Sequence, residues 1–269
     1  MATKTTAVAT QPKGGAIAAY DYGEHAGSGF ENISSADLLI PFLTILQPTS
    51  PQVTEGDGSL QAGLFLNTVT GEFYEGEKGV PFQPVDFQHM FVEWVPREKG
   101  GGIAGRYLPE DELVVAEVAK NNNSVVGIKL SNGNELIETY YVYGNILNEA
   151  GTEVEGFAVL AVKSTSIKPM RGWLTAMRMV KGKPPLFAFR ALLKNNKQKN
   201  DAGVWWQLDP KPLGSDWRAS LIDPTKDGSL LEAAVSLQEM IRSGKASADF
   251  TREDRSSGAA GGDPDKAPF

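Results

Sequence analysis

The stretch VPFQPVDFQHMFVEWVP, residues 80–96, alternates apolar and polar side chains over much of its length. A period of two belongs to a strand with one face on a core, so a long β-strand is predicted here. The pattern continues outward in shorter units. LFLNTVTGEFY (64–74) places Thr70-Gly71 at a turn between two strands, and SNGN (131–134) is a hairpin turn between VVGIKL and ELIETYYVYGNIL. ELVVAEVA (112–119) reads as a further strand, GFAVLAVKS (156–164) as a buried one, and KGGGIAGRYLPED (99–111) as a flexible connection. PPLFAFRALLKN (184–195) is expected to pair with VWWQLD (204–209) across NNKQKNDAG.

Three helices are expected among these strands. ADLLIPFLTILQ (36–47) follows Ser34 and Ser35, either of which can cap it, with Pro41 in its first turn or at a kink. SIKPMRGWLTAMRMV (166–180) has Ser166 as N-cap and Pro169 in its first turn. Residues 229–243 put Leu230, Leu231, Ala234, Leu237 and Ile241 on one face. The expected fold class is therefore mainly β (α+β), an OB-fold-like β-barrel core with inserted helices and disordered termini. The chain divides into a disordered N-terminal arm (1–30), a barrel domain with insertions (31–245) and a disordered acidic C-terminal tail (246–269).

Composition excludes several function classes. The 269 residues include no Cys, which removes disulfide scaffolds, thiol nucleophiles and thiolate metal sites. The two histidines, His25 and His89, have no acid at a spacing that builds a metal cluster. GGGIAG (100–105) matches a dinucleotide fingerprint formally, but Pro109 interrupts the helix such a site needs. No phosphate-loop motif occurs, and the carboxylate groups Glu110, Asp111, Glu112 and Glu72, Glu75, Glu77 read as solvated faces. No catalytic residue, metal or cofactor is expected, so the chain is not read as an enzyme. No apolar run approaches the roughly 18 residues of a membrane span, and MATKTTAVATQPKGG lacks the apolar centre of a secretory signal. A cytoplasmic protein with no membrane partner is expected.

Charge is the informative property. Residues 1–155 carry 8 Lys and Arg against 21 Asp and Glu, and residues 201–269 carry 8 against 12. Residues 156–200 carry 10 basic residues and no acid. Such a local field suits a polyanion even though the whole chain has a net charge of −7. Lys163, Lys168, Arg171, Arg178, Lys181, Lys183, Arg190, Lys194, Lys197 and Lys199 are interleaved or flanked with Trp173, Phe187, Phe189, Trp205 and Trp206. Strand alternation sends Trp205 and Trp206 to opposite faces; likewise Tyr141 and Tyr143 share a face that Tyr140 does not. Rings for base stacking beside cations for phosphates favour single strands, because a duplex hides its base faces. The proposed DNA contacts are Lys163, Lys168, Arg171, Arg178, Lys181, Lys183, Arg190 and Lys194 for phosphate, with Trp173, Trp205 or Trp206 for bases.

At the C-terminal end, SSGAAGG precedes Asp263, Asp265 and then Pro268-Phe269. A spacer followed by a ring offers a docking peptide at high effective concentration. Together with FENISSADLLIPFLTILQ, NTVTGE, FVEWVPRE and NDAGVWW, this end resembles the single-stranded-DNA-binding proteins of tailed bacteriophages. That resemblance implies an oligonucleotide-binding barrel that coats single strands in phage DNA replication and recombination, in the host cytoplasm. It also implies that Asp263, Asp265, Pro268 and Phe269 recruit replication proteins such as DNA polymerase or primase-helicase. A homodimer is left open. The competing readings are a strand-annealing recombination mediator and a virion structural or adaptor protein.

Overall fold

Two long strands running antiparallel side by side form the backbone of the molecule, whose computed structural model describes residues 28–29, 39–56, 58–201 and 203–253. In chain order the elements are β1 (Leu39–Ile40), β2 (Leu43–Ile45), α1 (Pro51–Thr54), β3 (Leu64–Asn67), β4 (Phe73–Glu75), β5 (Val80–Trp94), β6 (Ile103–Tyr107), α2 (Glu112–Lys120), β7 (Ile128–Lys129), β8 (Glu135–Leu147), β9 (Val154–Lys163), α3 (Ile167–Arg178), β10 (Ala191–Asn200), β11 (Gly203–Pro212), α4 (Gly228–Arg242) and β12 (Ser247–Ala248). The fold is α+β, with 38% strand and 24% helix, so the helices are structural layers rather than decorations on a β-domain.

The long pair is β5 and β8, in register from Phe82 opposite Ile146 to Trp94 opposite Glu135. On its outer side β5 takes β10 at residues 80–82 and β6 at 91–94. On its outer side β8 takes β9 and, near its start, β7. Pro84 has no amide hydrogen for the ladder, and the register shifts between Pro84 and Asp86. That bulge reverses the parity of the strand: Phe82 and Phe87 meet one core, while Val85, Val92 and Trp94 meet the other. Tyr140 lies on the first face and Tyr141 and Tyr143 on the second, as the alternation predicts. The first face is covered by α3 and by the small sheet β2-β3-β4 through Leu43, Ile45 and Phe65. The second is covered by α4 and by Ile40, Phe42 and Phe250.

No closed barrel is formed by the described strands, which corrects the expected OB-like barrel. Closure would require β9 to pair with β11. Instead the edge of β9 away from β8 receives an isolated parallel bridge, Phe42 to Val159. The outer edge of β11 is occupied by side chains: the Gln47 amide accepts from and donates to the Trp206 backbone, both at 2.9 Å, and Ser166 Oγ accepts from Leu208 N at 3.2 Å. These bonds occupy the Trp206 backbone groups and the Leu208 amide at the edge where a further strand would pair.

Several elements differ from the sequence expectation. Within 36–47 the described residues form β1 and β2 rather than a helix; residues 40–47 are buried without a break, which leaves no periodicity to separate the two. Residues 112–120 form α2 although rich in Val; Val114 and Val118 share a helical face against Phe91 and Leu136, and that packing overrides strand propensity. The glycine-rich connection contains β6, and residues 186–188 form a 3-10 turn before β10. The fold also continues past residue 246. β12 pairs in parallel with β1, and a 3-10 turn at Phe250–Arg252 packs Phe250 against Phe42 and Tyr141. The remainder of the expected tail, with Asp263, Asp265, Pro268 and Phe269, lies outside the described residues, as does most of the expected N-terminal arm.

Candidate nucleic-acid interface

The acid-free window spans β9 from Gly156 onward, α3, the turn that follows it, and β10. Helix α3 starts where the sequence predicts. Ile167, Met170, Trp173 and Met177 recur at helical spacing and are buried in the core. The opposite side presents Lys168, Arg171, Thr175 and Arg178 to solvent, and Lys181 and Lys183 continue the exposed basic surface through the next turn. At residue 183 the backbone is left-handed (φ 49°). Gln207 of β11 donates its amide to the Thr165 carbonyl just before α3, so the helix begins beside the middle of the β10–β11 hairpin.

That hairpin is a ribbon. Only residues 191–193 of β10 pair with β5, whereas the pairing with β11 runs on from Ala191 to Asn200. Lys197 lies opposite Trp206, with its Nζ 5.2 Å from the ring centroid, a cation–π distance. Trp206 is half-buried on the α3 side, stacked over Gly63, where a Cβ would collide with its indole nitrogen. Trp205 points to the other face, opposite Gln198, and is half-buried too. Lys194 is half-buried, and Lys197 and Lys199 are exposed.

Three of the expected DNA contacts are corrected. Lys163 faces away from α3, because alternation along β9 sends it to the second core; it is 1% exposed, its Nζ is 2.6 Å from Glu253 Oε1, and it lies 4.4 Å from the Trp94 ring centroid. Trp173 is a core residue at 3% exposure, with its ring centroid 6.3 Å from that of Trp217. Arg190 is spent internally: it is 3.5 Å from Asp227 and donates to the carbonyls of Gly151 and Leu221. Arg171 is intermediate. Its guanidinium stays largely in solvent but donates to Glu138 Oε1 and to Tyr140 Oη, both at 2.8 Å.

The Glu138 cluster has no signature in the sequence. His89 Nε2 is 3.0 Å from the same Glu138 oxygen, brought there by the β5–β8 register that sets His89 opposite Tyr140. No spacing in the sequence signals a contact made across two strands. Burial on its own would raise the Glu138 carboxyl, but His89 and Arg171 outweigh it and hold it below the ordinary carboxylate range. The hydrogen bond to Tyr140 is the main cause that raises Arg171. Among the described residues no three His, Asp or Glu side chains converge as a metal-holding group, and no helix is long and apolar enough to cross a membrane.

An acid-free helix face thus begins beside a lysine-bearing ribbon on an open antiparallel scaffold. A family model, the Pam3 phage gp34-like protein, matches residues 8–247. The chain belongs to that family and is a bacteriophage protein. No curated protein and no solved structure matches it.

Proposed function

We propose that this phage protein binds single-stranded DNA without catalysing a reaction on it, coating the strand during replication and recombination. The observation that carries the reading is the exposed set Lys168, Arg178, Lys181 and Lys183, free of acids in its own sequence window, on and after a helix that starts beside the ribbon bearing Lys197 and Trp206. Phosphates would follow the cations, and the half-open Trp206 ring would meet a base. In this reading residues 263–269 serve as the docking segment for a replication protein.

Filter binding of oligo(dT) against salt tests the proposal. Neutralising about four phosphates gives a slope near −3 in log K against log salt, at roughly 0.7 per phosphate for a single strand. A slope near zero, or no retention at low salt, removes it. The virion-adaptor reading draws on the exposed apolar side chains Leu108, Val115 and Val126 around α2, and it predicts that second outcome.

A further inference from the structure

On the first sheet face, under α3, two side chains of β8 hold one side chain of the helix. Glu138 and Tyr140 stand two residues apart on the strand and therefore project to the same side. Arg171, one turn into α3, donates Nη2 to Glu138 Oε1 and Nε to Tyr140 Oη, both at 2.8 Å. These acceptors take up one edge of the planar guanidinium, and Nη1 has no acceptor among the described residues. The Arg171 side chain is 57% exposed, whereas that of Glu138 is 8% exposed. From the neighbouring strand β5, His89 Nε2 lies 3.0 Å from the same Glu138 oxygen.

Arg171 thus differs in kind from the cations around it. Arg178, Lys181 and Lys183 are exposed and have no carboxylate at ion-pair distance among the described residues. A free side chain of that sort loses rotamer freedom when a phosphate immobilises it, while a guanidinium already held along one edge has little left to lose. The carboxylate that holds Arg171 also balances its charge, and because Glu138 is buried, salt screens that balance only weakly. Counterion release follows the net positive charge brought to the phosphates, so a balanced pair adds little to the salt dependence of binding. What Arg171 can still offer a phosphate is a directional, pre-oriented N–H donor.

We propose that Glu138 and Tyr140 are positioning residues for Arg171, and that Arg171 meets the phosphates of a single strand through Nη1 as a fixed, charge-balanced donor. Arg178, Lys181 and Lys183 supply the salt-sensitive part of binding, and Arg171 supplies a part that persists as salt rises. The inference rests on the single-strand reading above and divides that one surface into two kinds of contact.

Oligo(dT) titrations of the full chain over a range of salt test this, run at pH 8 so that imidazole charge does not enter, with melting curves to show that each variant is folded. Glu138→Gln combined with Arg171→Ala removes the pair as a unit and strands no charge. It is expected to weaken binding about tenfold, the loss of one hydrogen bond to a charged group, while keeping the parent salt slope. Tyr140→Phe leaves Arg171 and Glu138 charged but frees Nε, and is expected to weaken binding about threefold, again at the parent slope. Glu138→Gln alone keeps an acceptor for Nη2 but removes the balancing charge, and should steepen the slope by about 0.7. The proposal is overturned if the double variant or Tyr140→Phe binds like the parent. It is equally overturned if the double variant flattens the slope by about 0.7, as loss of an ordinary cation does, or if Glu138→Gln keeps the parent slope. A parent chain that does not bind oligo(dT) removes the single-strand reading and this proposal with it, whereas contrary variants of a parent that binds remove this proposal alone.

Discussion

Replacing Lys163 by Met separates a structural lysine from a DNA-binding one. Its ammonium and the Glu253 carboxylate are both about 1% exposed and lie 2.6 Å apart, and the other Glu253 oxygen accepts from Tyr141 Oη at 2.7 Å. Lys163→Met removes the cation and strands a carboxylate in the core, to which the Tyr141 hydroxyl still donates. Breaking a buried pair in this way costs about 3–5 kcal/mol, a large share of the roughly 5–15 kcal/mol that stabilises a whole domain. For a chain of this length each kcal/mol moves the melting temperature by about 2–4 °C. The expected loss is therefore on the order of 6–20 °C, read by near-ultraviolet circular dichroism with tryptophan fluorescence as a second probe. Adding Glu253→Leu removes the stranded charge along with its partner and is expected to recover most of the loss. Oligo(dT) binding by the folded fraction of Lys163→Met should keep the parent salt slope. A variant that melts like the parent, or a double variant no better than the single one, would refute the buried-pair account.

Charge reversal at Lys181 and Lys183 should leave melting unchanged, since both are exposed, but flatten the oligo(dT) salt slope by about 0.7 per lost phosphate contact, as measured by filter binding. Gly63→Ala has two faults, a left-handed backbone (φ 96°) and a Cβ that collides with the Trp206 indole; an urea midpoint shift equivalent to about 1–3 kcal/mol is expected, together with altered Trp206 fluorescence. Acid should destabilise the fold through Glu138 and Glu93. Burial would raise both carboxyls, but His89 and Arg171 around Glu138, and Asn132, Asn134 and Tyr107 around Glu93, hold them lower in the folded chain than in the unfolded one. Their contribution is thus full above the unfolded carboxylate value of about 4.3 and fades as pH falls through the folded values. Urea midpoints between about pH 6 and pH 3 check this, and Glu138→Gln should flatten the dependence.

The long strand at 80–94, the hairpins and the helices α3 and α4 were legible because alternation, turn residues and helical periodicity are local signals. The segments at 39–45 and 112–120 were not. In the first, unbroken burial from residue 40 onward erases periodicity; in the second, Val-rich composition points to a strand while packing against Phe91 imposes a helix. The basic window was visible from its lack of acids, but sequence composition assigns charge to a stretch, not to a side of the molecule. Lys163 and Arg190 took up with Glu253 and Asp227, partners 90 and 37 residues away, and no local pattern announces such pairings. Trp173, read from the sequence as a base contact, instead shares a buried helical face with Met170 and Met177.

The parallel pairing of β1 with β12 joins Leu39 to Ser247 across nearly the whole described chain. On a ribosome, that link forms late. The Phe42–Tyr141–Phe250 aromatic cluster cannot close until residue 250 has been made, so a nascent chain holds the sheet face beneath it uncovered through almost all of its translation. Premature termination anywhere before that residue leaves the aromatic face without its cover and exposed to aggregation.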